Sequence, residues 1–165
     1  MYKHLLIALP NRRQVYVDLI TSPAGHYLSR QPYVINLIKE VLAPMRLRQP
    51  EVTIEHDMGR VIGNTNIVET SEKDAIIYAQ PHKKKTYARY AKNRSLSPSQ
   101  ILTIILEQDE AGNYELLDTW IGPYTPPFPG EDKATQTSKT YWESHALVMD
   151  NLMVQTKTIT KDSPY

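Results

Sequence analysis

After Pro32, apolar positions recur at helical spacing at Val34, Ile35, Leu37, Ile38, Val41 and Leu42. This broad stripe predicts a helix over residues 31–45, with Pro32 in its first turn and Pro44 and Pro50 bracketing its exit. Residues 51–55 then alternate with period two, Val52 and Ile54 to the core, and deliver His56-Asp57-Met58-Gly59-Arg60 at the strand's end. Strands are also expected over 61–70 and 74–80. Residues 101–106 are apolar and largely β-branched, Asp109-Glu110-Ala111-Gly112-Asn113 supplies turn chemistry, and residues 114–121 return as the second strand of a hairpin. That return strand has no clean polar face, which marks a central strand covered on both sides. It stops at Gly122-Pro123, and Pro126, Pro127, Pro129 and Gly130 make a loop that continues neither a ladder nor a helix.

Residues 2–20 mix apolar positions around a break at Pro10-Asn11, and Ser22-Pro23-Ala24-Gly25 has turn chemistry. Near the end, Ser138 is expected to cap a short helix running through Tyr141, Trp142 and Ser144 to His145, before Ala146-Leu147-Val148. Together these elements predict an α+β fold: an N-terminal helical region packed on a four- to five-stranded, mainly antiparallel sheet. One domain over 1–150 is expected, with a polar C-terminal tail over 151–165 that frays. The 165 residues include no cysteine, and a chain of this length buries a core without disulfides. The apolar run at the N-terminus is too short to span a membrane and lacks a leader's flanks, so a soluble cytoplasmic protein with no membrane partner is expected.

Charge changes this picture locally. The formal net charge is only +1, which creates no global field toward nucleic acid. Between Asp74 and Glu107, however, there is no acidic residue, while Lys83, Lys84, Lys85, Arg89, Lys92 and Arg94 all fall there with Tyr87 and Tyr90 interleaved. Cations beside aromatic faces suit RNA phosphates and stacked bases. The same charges also suit a solvated strand edge guarded against aggregation.

Metal-independent RNA cleavage needs a base for the 2′-hydroxyl, an acid for the leaving oxygen and donors for the charged transition state. His56 and His145 are the candidate acid and base. Arg60, Arg89, Lys92 and Arg94 are candidate phosphate ligands, joined by Lys83, Lys84, Lys85 and Tyr87 as the binding surface, and Thr119 is a candidate hydroxyl donor. His56, Arg89, Arg94, Thr119 and His145 are expected to converge as the catalytic set. The structural alternative has His56 bonded to Asp57 or a loop carbonyl and His145 closing a helix end. No metal-ligand spacing, Walker, G-x-S-x-G or dinucleotide pattern is present, so neither metal nor cofactor is expected. Trp120, Trp142, Tyr141 and Phe128 are expected to pin the Pro-rich loop, and Gly59 and Gly63 to serve sites where a side chain would clash.

The His56-Asp57-Met58-Gly59-Arg60 block, the 87–94 block, Thr119-Trp120-Ile121-Gly122 with the Pro126–Gly130 stretch, and the final block over 138–148 resemble those of a family of small uncharacterised bacterial proteins. The family blocks have the form HDxGR, R-[FY]-x-K-x-R, TWIG followed by PPFPG, and S-x-x-[FY]-W-x-x-HALV, and the likeness covers about residues 51–148. In layout, a helical start followed by a basic antiparallel sheet is similar to the barnase, EndoU, colicin and RelE group of ribonucleases, many of them toxins. That resemblance implies an RNA substrate, a toxin-like endoribonuclease and an inhibitor or antitoxin protein as partner. A non-catalytic module that docks RNA or an acidic partner on the same basic surface is the alternative.

Overall fold

Val15 and Val17 alternate with Gln14, Tyr16 and Asp18, the period of a strand, and a strand forms there. The computed structural model describes residues 4–9, 14–18 and 31–165. In chain order the described elements are β1 (His4–Ala8), β2 (Gln14–Asp18), α1 (Gln31–Leu42), β3 (Glu51–Asp57), β4 (Gly63–Thr65), β5 (Ile67–Glu69) and β6 (Ile76–Ala79). β7 (Ala88–Ala91), β8 (Ser97–Ser99), β9 (Ile101–Gln108), β10 (Tyr114–Ile121), α2 (Gln136–Ser144), β11 (His145–Val148) and a 3-10 turn over Thr156–Thr158 complete the chain. It is divided into two compact units, Met1–Asn64 with Pro98–Pro123, and Thr65–Ser97 with Tyr124–Tyr165.

In the first unit the sheet order is β1-β2-β10-β9-β3. β10 lies at its centre, antiparallel to β9 and parallel to β2, with a register shift between Leu116 and Asp118. That shift is why no single alternation runs along the strand: residues 118–121 are all buried. α1 contributes Val34, Leu37, Ile38, Val41 and Leu42 to one core with Ile54, Leu102, Ile104, Leu106 and Tyr114, each side chain worth about 1.5–3 kcal/mol on full burial. The helix ends at Leu42 because Ala43 precedes Pro44, and a residue before proline is driven out of the helical region. A Cβ on Gly63 would stand 2.6 Å from Cδ1 of the buried Ile121, and Gly59 turns the chain at φ 72°.

The second unit holds a four-stranded sheet, β5-β11-β7-β6, in which β11 is parallel to β7 and antiparallel to β5. β4 and β8 form a separate two-stranded sheet. Thr135 and Ser138 make a capping box at the start of α2, Ser138 Oγ accepting from the Thr135 N–H at 3.1 Å, so Ser138 lies three residues inside the helix rather than at its cap. Trp142 Nε1 donates to the carbonyls of Pro126 and Pro127, each at 3.2 Å, and its ring lies 4.9 Å from Phe128, which ties the Pro-rich loop down.

The α+β class stands, while three finer expectations are corrected. The described N-terminal residues are strands, with the helix following them. The strands of 51–121 divide between two principal sheets rather than one, because β11, apolar enough to be buried on both faces, enters between β5 and β7. Residues 151–165 do not fray: Tyr78 and Thr160 exchange backbone hydrogen bonds of 2.8 and 2.9 Å, and Pro81 bridges the buried Val154 along the edge of β6. The turn expected at Ser22-Pro23-Ala24-Gly25 lies outside the described residues.

Candidate functional site

β6 and β7 pair with Tyr78 directly opposite Arg89, so these two side chains share a face of the second unit's sheet. Arg89 is half-buried, and its Nη1 donates to Thr70 Oγ1 at 2.8 Å and to the carbonyl of His145 at 3.0 Å. Both acceptors are neutral, and among the described residues no carboxylate lies within ion-pair distance. The guanidinium is therefore oriented without being neutralised, unlike the other arginines of the basic blocks.

Arg89 faces a cleft with room for about 100 Å³ inside an open mouth. α2 supplies Lys139, Trp142 and Glu143 to it, one helical face at i, i+3 and i+4. Pro129 closes one side, and Ser163 and Tyr165 reach over from the C-terminal segment. The Tyr165 hydroxyl donates to the Tyr87 carbonyl. Its ring stands so close to Gly130 that a Cβ there would meet it at 3.1 Å. Burial raises the Tyr165 phenol above its ordinary pKa.

His145 is the C-cap of α2 and the first residue of β11. Its Nδ1 lies 3.0 Å from the Tyr141 carbonyl and its ring stacks on Tyr141 at 3.9 Å. The Ser144 hydroxyl also lies 3.0 Å from Nδ1; in the tautomer that donates from Nδ1 to the Tyr141 carbonyl, Nε2 keeps its lone pair. The side chain thus closes the helix end through Nδ1, and Nε2 makes no hydrogen bond among the described residues.

The remaining sequence candidates lie on other elements and turns. Arg94 donates to the Glu69 carbonyl at 3.1 Å and pairs with Asp74 at 3.3 Å, locking the turn between β5 and β6. A hydrogen bond from the Ser71 N–H, aided by Arg94, holds the Asp74 carboxyl below its ordinary pKa. Lys84 pairs with Glu131 at 2.9 Å and so anchors the Pro-rich loop. Lys83 occupies a left-handed turn at φ 62°, exposed like Lys85 and Lys92. Tyr87 offers its carbonyl to Tyr165, while Tyr90 is buried, which raises its phenol's pKa.

His56, Arg60 and Thr119 belong to the first unit. His56 is exposed on the edge strand β3. Arg60 forms a bidentate pair with Glu40 at 2.8 and 2.9 Å, which lowers that carboxyl's pKa and ties α1 to the Gly59 turn. Thr119 is 5 % exposed, and its hydroxyl donates to the Thr103 carbonyl at 2.8 Å. Within the second unit, then, the structure joins Arg89 to His145 through a backbone carbonyl.

Sequence reasoning missed Tyr78, Lys139, Glu143, Ser163 and Tyr165. The spacing of Lys139, Trp142 and Glu143 on one helix face is a usable signal, whereas nothing local announces that 163–165 fold back. Among the described residues no group of three His, Asp or Glu side chains gathers as a metal site requires. No described helix is long and apolar enough to cross a membrane. No family model matches the chain, and searches of curated proteins and of solved structures find no similar one.

Proposed function

We infer that the protein binds single-stranded RNA, taking a phosphate at Arg89 in the second unit. The observation that carries this reading is the half-buried Arg89 guanidinium, fixed by two neutral oxygens and without a carboxylate partner among the described residues. Such a cation is preorganised for an anion, because its orientation is set before the ligand arrives. Lys139 adds a second charge, and Tyr78 and Tyr165 offer rings for a base. The test is titration of a single-stranded RNA oligonucleotide at several salt concentrations, with an expected log-log slope of roughly −0.7 per phosphate contacted. Salt-insensitive binding, or none, removes the reading.

The second reading is a metal-independent, toxin-like endoribonuclease held in check by an inhibitor protein. What favours it is His145, whose Nε2 has the form a general base needs in the tautomer that donates from Nδ1 to the Tyr141 carbonyl. Cleavage of an RNA substrate should then survive a chelator, and His145→Ala should lower its rate about a hundredfold or more. Intact RNA and normal growth on induced expression, with no difference from Arg89→Ala, would leave binding as the whole activity.

A further inference from the structure

Glu143 lines the same cleft as Arg89 and Lys139, and it makes no hydrogen bond or ion pair among the described residues. A carboxylate there tells against a bare anion as ligand, since it would repel the phosphate that the two cations attract. It fits a ligand with a phosphate at one end and hydrogen-bond donors at the other. We propose that Glu143 selects guanine, its carboxylate accepting from the guanine N1–H and N2–H2 groups while Arg89 and Lys139 hold the phosphate. This rests on the reading of the cleft as an RNA site.

A carboxylate has acceptors only, so it matches an edge that presents two adjacent donors. Guanine alone among the four RNA bases presents that edge. Adenine and cytosine set one amino group beside a lone pair, and uracil flanks its single N–H with carbonyls. Each mismatch points a lone pair at the carboxylate or leaves one of its oxygens unmet. Tyr78 and Tyr165 meanwhile serve any base, because every base has a face to stack, so they add affinity without selectivity. Discrimination therefore falls to the one acceptor-only side chain in the cleft.

The experiment titrates the full chain with guanosine, inosine, adenosine, cytidine and uridine 3′-monophosphates and with inorganic phosphate, by calorimetry at one salt concentration. Guanosine monophosphate should bind about tenfold or more tighter than adenosine monophosphate, the usual scale for a bidentate base contact. Inosine, which lacks the N2 amino group, should fall between them. Glu143→Gln presents one donor and one acceptor, so it should bring guanosine down to the adenosine level and leave inorganic phosphate no weaker. Glu143 is exposed, so this change leaves folding intact. Equal affinities for all five nucleotides, or a Gln variant that strengthens every one alike, would overturn guanine selection while the phosphate site stands. Failure of every ligand, phosphate included, would remove the RNA reading with it.

Discussion

The two units divide the chain's charge unequally and build their cores from different kinds of element. The first carries eight Lys and Arg against ten Asp and Glu, the second eleven against eight. One apolar cluster gathers α1 and the sheet of the first unit, whereas the second unit draws its buried apolar side chains from short strands (Ile67, Ile77, Tyr90, Leu147), the Pro-rich loop (Phe128), α2 (Trp142) and the C-terminal segment (Val154). Regular burial of long strands suits a scaffold, which tolerates little change. Short strands bound by a capped helix, a Pro-rich loop and a returning C-terminal segment suit a surface that presents chemistry. The near-zero net charge hides this division, because it sums two regions of opposite sign.

The largest expected effect tests the scaffold side. Ile104 is fully buried in the first unit's core, so Ile104→Ala should cost about 2–5 kcal/mol of stability by urea denaturation. A loss below about 1 kcal/mol would mean that this core is not packed as described.

Next comes the contrast between two arginines. Arg89→Ala should weaken single-stranded RNA binding about tenfold or more and make its salt slope shallower by about 0.7, the loss of one phosphate contact. Arg60→Ala should leave both unchanged, because Glu40 already occupies that guanidinium. Equal effects at both positions would erase the distinction between a paired cation and a presented one.

A smaller effect separates the units by pH. Asp74 in the second unit has its carboxyl pKa depressed, first by the Ser71 N–H and then by Arg94. A depressed carboxyl contributes stability above its unfolded value, about 3.9, and loses it as pH falls through the lower folded value. The stability difference between wild type and Asp74→Asn should therefore be present at neutral pH and shrink below about pH 4. Amide exchange at Ser71 should report it, and a difference that grows with acidity would reverse the assignment.

How much of this was legible in the sequence follows from where each signal comes from. The Val34 to Leu42 stripe and the hairpin of β9 and β10 are local patterns, and both stand in the structure. Arg89 was legible as a cation, yet its place depended on which partners Arg60, Lys84 and Arg94 found, and those carboxylates lie 20 to 47 positions away. β11 was missed as a sheet strand because four residues, His145–Val148, carry too little periodicity to declare one. The returning 151–165 segment was missed because its contacts with Tyr78, Pro81 and Tyr87 join residues more than 70 positions apart.

The smallest effect returns to the acidic unit, where strand register creates a conflict that no single strand shows. Glu51 on β3 stands directly opposite Glu107 on β9, and Glu107 stands directly opposite Glu115 on β10. Directly opposed residues point to the same face, so three exposed carboxylates line up across neighbouring strands. Like charges so placed are destabilising, and Glu107 meets the repulsion from both sides. Replacing it by Lys turns two repulsions into two attractions, each of the order of 0.2–1 kcal/mol for cross-strand pairs. Glu107→Lys should therefore raise stability by about 0.5–1.5 kcal/mol at low salt, with the gain fading as salt screens the exposed charges. Glu107→Gln should recover about half of that, since it removes the repulsion without adding attraction. If Glu107→Lys is neutral at low salt while the Gln variant destabilises, the register of β3, β9 and β10 does not bring these side chains together, and the acidic face of the first unit loses its structural basis.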